Sequence, residues 1–60
     1  MAITEKELTA IEDQLGIEQT LVAKCKAYSQ MCSDQELKKE CDCIAQKHQA
    51  HFDKLMNMLG

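Results

Sequence analysis

Ser33-Asp34-Gln35-Glu36 is the one clear interruption in a 60-residue chain that otherwise favours helix throughout. Leu, Ala, Glu, Lys and Gln dominate on both sides of it, proline is absent, and Tyr28 and Phe52 are the only Tyr, Phe or Trp side chains. These are helix formers more than strand formers. The interruption has the chemistry of a helix start. Ser33 followed three places on by Glu36 makes a capping box, and Asp34 is an alternative cap. Acids at that point also suit the positive end of the helix dipole. So short a connection turns the chain back on itself. The spacing therefore predicts an all-α, antiparallel two-helix hairpin in a single domain spanning 1–60. Helix 1 is expected over about 5–32, the turn near 33–34 and helix 2 over about 35–59.

Upstream of the turn, Thr4-Glu5-Lys6-Glu7 has the capping-box form, and apolar or small residues recur at Leu8, Ile11, Leu15, Val22, Cys25, Ser29 and Cys32. Glu18 fills the one gap in that rhythm. A second seam holds Ile17, Leu21, Tyr28 and Met31, so helix 1 is apolar over a wider arc than a two-helix contact needs. Gly16 lies inside the helix at a cost of up to about 1 kcal/mol against alanine; it either permits a close approach or is simply tolerated. Downstream, Leu37, Cys41, Ile44, His48, His51, Leu55 and Met58 repeat the rhythm, flanked by Ala45, Phe52, Met56 and Leu59. Gly60 follows as a helix stop.

Folding the hairpin at Ser33 pairs residues equidistant from it: Ser29 with Leu37, Cys25 with Cys41, Glu18 with His48 and Leu15 with His51. Glu18 and His48 then share a layer roughly 22 Å from the turn, at about 1.5 Å per residue. His51 follows one helical turn beyond His48 on the same face. Three ionisable groups converge on two apolar stripes. Two histidines and a carboxylate form a ligand set that leaves coordination positions open and suits Fe, Mn or Zn. Placing them in a small core costs free energy unless each is satisfied. A Glu18–His48 hydrogen bond, with His51 solvated at the edge, satisfies them equally well. Both readings stand at this level.

Composition narrows the function classes. The net charge is −3, with no arginine and no basic block, which removes the electrostatic footprint of a nucleic-acid binder. No apolar run approaches the roughly 20 residues of a membrane span. Met1-Ala2-Ile3-Thr4-Glu5 lacks the regions of a signal peptide, so cytosolic synthesis and reduced thiols are expected. Cys25 and Cys41 read as small core residues. Zinc binding by Cys25, Cys32 and Cys41 matches no standard spacing. Cys43 lies off both seams and reads as exposed. No nucleophile–base pairing, phosphate loop or cofactor motif is present, which points away from an enzyme. Two helices cannot enclose a core, so the expected working unit is a homodimer forming a four-helix bundle. A small adaptor offering its second seam to another protein is the remaining class.

Glu18, the Asp34-x-x-Leu37-Lys38 start of helix 2 and the Lys47-His48-Gln49-x-His51 run are similar to the spore coat protein F-like family of clostridia and bacilli. The resemblance covers nearly the whole chain; longer members carry two such hairpins. It implies a ferritin-like bundle, a structural role in the spore coat and other coat proteins as partners. By the same resemblance Glu18 takes the place of the first di-metal glutamate and His51 that of the terminal histidine. His48 then stands where a di-metal site has its bridging glutamate. Histidine does not bridge two metals in that way, so the resemblance implies a mononuclear or vestigial site. Gln35 stands where many relatives have proline. In an oxidising coat layer the Cys43 thiol would cross-link molecules.

Overall fold

The computed structural model describes residues 3–60. Met1 and Ala2, which open the segment read above for targeting, lie outside the described residues. Two helices, α1 (Glu5–Met31) and α2 (Gln35–Met58), run antiparallel and pack along their length. The chain is an all-α hairpin. No described helix is long and apolar enough to cross a membrane.

Capping chemistry sets the ends. Thr4 Oγ1 accepts from the Glu7 backbone N–H at 3.1 Å, while Glu7 Oε1 accepts from the Thr4 backbone N–H at 3.1 Å, completing the expected box. At the turn the box between Ser33 and Glu36 does not form. Asp34 caps α2 instead, its Oδ1 accepting from the backbone N–H groups of Glu36 at 2.8 Å and Leu37 at 3.3 Å. A carboxylate there satisfies two free donors and meets the helix dipole with a full charge. Each helix ends one residue before its expected limit, at Met31 and Met58, with Cys32 and Leu59 as the caps. Leu59 keeps a right-handed conformation and its N–H reaches the Met56 carbonyl at 3.1 Å. Gly60 has no positive φ, so the left-handed glycine stop is not used.

The two helices meet along a narrow seam. On α1 the expected stripe faces α2 from Ile11 onward: Ile11, Leu15, Glu18, Val22, Cys25, Ser29 and Cys32 are buried or half-buried, whereas Leu8, near the open end of the hairpin, is exposed. On α2 the stripe is corrected. Lys38, Cys41, Ala45, His48, Phe52 and Leu55 face α1, whereas Leu37, Ile44, His51 and Met58 turn outward. The small Ala45 is the one buried residue of α2, only 5% exposed. Phe52 in the seam removes more apolar area from water than His51 would.

A second correction concerns depth. The buried Ser29 hydroxyl donates to Asp42 Oδ1 at 2.5 Å, not opposite Leu37 but five residues further along α2. Side chains on a helix lean toward its N-terminus. In a hairpin, those of α1 therefore lean away from the turn and those of α2 toward it. Partners on α2 accordingly lie up to a helical turn or so beyond the equidistant position. Gly16 has open space where a Cβ would stand, so no close approach requires it.

Val22 and Ala45 are the only buried apolar residues among those described. The molecule is a rod of 47 × 15 × 12 Å with a radius of gyration of 14.2 Å. A compact domain of this length would have about 10 Å.

Candidate metal centre

Glu18 sits mid-seam, three and four residues from Leu15 and Val22, and is only 5% exposed. Its two carboxylate oxygens point to different histidines. Oε2 lies 2.5 Å from His48 Nδ1, and Oε1 lies 3.7 Å from His51 Nδ1. Gln14, one turn earlier on α1, donates to Oε1 from its side-chain amide at 3.1 Å. The two imidazoles meet edge to face with centroids 5.6 Å apart and planes at 85°. One potential ligand atom from each of Glu18, His48 and His51 lies within 4.8 Å of the others. Among the described residues no other His, Cys, Asp and Glu group converges in this way.

The lean of the side chains explains why His51 reaches Glu18 and not Leu15. A helix-2 residue three places beyond the equidistant His48 still tilts back toward the Glu18 layer. His48 is half-buried in the seam, while the His51 side chain is 59% exposed at its edge.

The His48 hydrogen bond holds the Glu18 carboxyl below its ordinary value, with help from the Gln14 amide and the nearby imidazoles; burial opposes them. An ionised carboxylate only accepts, so His48 Nδ1 carries the proton in this contact. The 2.5 Å contact is shorter than the roughly 3.4 Å between two ligands of a tetrahedral ion at bond lengths near 2.1 Å. An ion would therefore displace the shared proton and open the Glu18–His48 contact by about 1 Å. The 3.7 Å gap to His51 already suits it. Proton and metal compete for one position.

Every buried side-chain nitrogen and oxygen among the described residues has a hydrogen-bond partner without an ion. Gln14 is the residue that sequence reading missed; its signal was its place four residues before Glu18. Asp42, the partner of Ser29, was missed because depth was counted without the lean.

All four cysteines are free thiols. Burial foremost, then the neighbouring Cys25 and Cys32, pushes the Cys41 thiol up. The three share the turn half of the hairpin but do not form a ligand group. Cys43 is exposed, away from them on the outer side of α2. The chain matches no protein-family model, no curated protein and no solved structure.

Proposed function

We propose that this chain is a non-catalytic helical-hairpin protein that holds one transition-metal ion, Zn, Fe or Mn, at Glu18, His48 and His51. One observation carries the reading. A buried carboxylate directs its two oxygens at two different imidazoles, all within ligand reach. A single carboxylate with two nitrogen ligands suits one ion, not a bridged pair, and leaves the outer coordination positions open. The test is the metal content of protein purified without a histidine tag, repeated for His48→Ala. Near-stoichiometric metal in the parent and its loss in the variant support the site. Metal-free protein whose melting temperature ignores added Zn²⁺, Fe²⁺ and Mn²⁺ would sink it.

A second reading has its own support. The Glu18–His48 bond is complete without an ion, Cys43 is exposed, and the sequence is similar to spore coat protein F-like proteins. On that reading the hairpin is a structural, ferritin-like bundle element of the spore coat, with its own copies and other coat proteins as partners. Cys43 would supply cross-links there. Monomer alone on non-reducing gels of the assembled material would remove the cross-linking role.

A further inference from the structure

The hairpin is a two-helix layer with two broad sides. On one side Leu37, Ile44, His51 and Met58 follow one another at seven-residue spacing along α2, a continuous stripe. Ile17, Leu21 and Tyr28 form the matching stripe on α1. Ile17, Tyr28, Leu37 and Met58 are each more than half exposed. A groove of about 300 Å³ opens directly over the candidate site, between Gln14 and Glu18 on α1 and His51, Leu55 and Met58 on α2. His51 is therefore the point where the site meets this face.

We propose that a second copy of this chain packs on that face and closes the Glu18–His48–His51 site over His51. Area supports it first. A compact 6.8 kDa chain exposes about 4,000 Å². This chain exposes 4921 Å², about 1,000 Å² more. That excess is close to the roughly 800 Å² each partner contributes to a standard interface. Charge supports it next. Besides the buried Glu18, the face is bordered by Lys24, Lys38, Lys47 and Lys54 and by Asp13, Asp34, Glu36 and Glu40, each one helical turn from, or next to, a stripe residue. Equal numbers of both signs let the face pair opposite charges with its own copy, whereas a partner of single-signed charge would set like charges against half of them. The closing of the site rests on the metal reading; the association does not.

The experiment separates the two by working without metal. In EDTA, sedimentation of the wild-type chain at about 50 μM should give a dimer, and its melting temperature should rise with protein concentration. Ile44→Asp should weaken association about a hundredfold by burying an unpaired carboxylate. Gln46→Asp, on the opposite side of α2, should leave it unchanged. Carbethoxylation of His51 should be about tenfold slower in the wild-type dimer than in monomer, because the imidazole is covered. Should Ile44→Asp lose its helical signal, wild type diluted below its dissociation constant supplies the monomer reference. A wild-type monomer with a concentration-independent melting temperature overturns the proposal. So does equal sensitivity to Gln46→Asp, or a dimer whose His51 reacts at the monomer rate. Failure of metal binding alone leaves the dimer measurements intact and removes only the closing of a metal site.

Discussion

The hairpin's two broad faces come from the same seven-residue repeat, yet they end in opposite chemistry. One carries Ile17, Leu21, Tyr28, Leu37 and Ile44; the other carries Gln19, Lys26, Asp42, Gln46 and Gln49 around shallow grooves floored by Val22, Ala45 and Phe52. Between them runs a seam so thin that Val22 and Ala45 are its only buried apolar residues among those described. Helix formation alone is indifferent to which face is which. The difference lies in the side chains one step to either side of the seam, and it makes the pair of helices amphipathic as a unit, as a single helix is in a larger core.

Three changes test that contrast. The largest effect is expected in the seam between the faces. Ala45→Asp would bury an unpaired carboxylate in the seam, costing several kcal/mol, comparable with the whole stability of so small a chain. Far-UV circular dichroism should show loss of cooperative melting. The same substitution next door, Gln46→Asp on the polar face, should change stability by no more than about 0.5 kcal/mol.

Acid comes second. Glu18 and Glu7 are held below the ordinary carboxylate value by hydrogen bonds, Glu18 chiefly by His48 and Glu7 by Thr4. The unfolded chain then binds more protons than the folded one near pH 4, so stability rises with pH there. Their contribution is complete above the unfolded value, about 4.3, and is lost as the pH falls through the depressed folded values. Melting curves should drop in that window, and Glu18→Leu should flatten the fall. Metal affinity should rise with pH across the acid range in which Glu18 gives up its proton, because the ion needs the carboxylate free. An affinity unchanged through that range would contradict Glu18 as a ligand.

The smallest change is Gly16→Ala. A Cβ there meets nothing within 4 Å, and the position is interior to α1. Stability should rise by about 0.5–1 kcal/mol without disturbing either face. Denaturant melts with an unchanged slope would check it.

Much of this was legible in the sequence. The turn, the Thr4 cap and the α1 stripe follow from residue types whose preferences act locally. Glu18 and His48 were legible as a pair because symmetry about Ser33 fixes depth to within a turn. The rotation of α2 was not. Leu37, Ile44 and Met58 are as apolar as Ala45 and Phe52 taken together, so periodicity offers two stripes and cannot choose. Packing chooses, and it buries the small Ala45 while leaving Ile44 exposed. The Asp42 and Gln14 contacts escaped because they depend on the direction in which side chains lean, which residue counting omits.

The Glu18–His48 bond joins residues 30 positions apart and lies about midway along the rod. It divides the molecule into a closed loop containing the turn and a pair of arms ending near Thr4 and Leu59, packed through Ile11, Leu15, Phe52 and Leu55. Opening that begins at the chain ends must break this bond before it reaches Val22, Cys25 and Ser29. The polar layer is thus the first side-chain hydrogen bond between the helices that fraying from the ends would meet. A bound ion would strengthen that link alone, whereas a second copy laid across His51 would also cover Met58 in the arm beyond it.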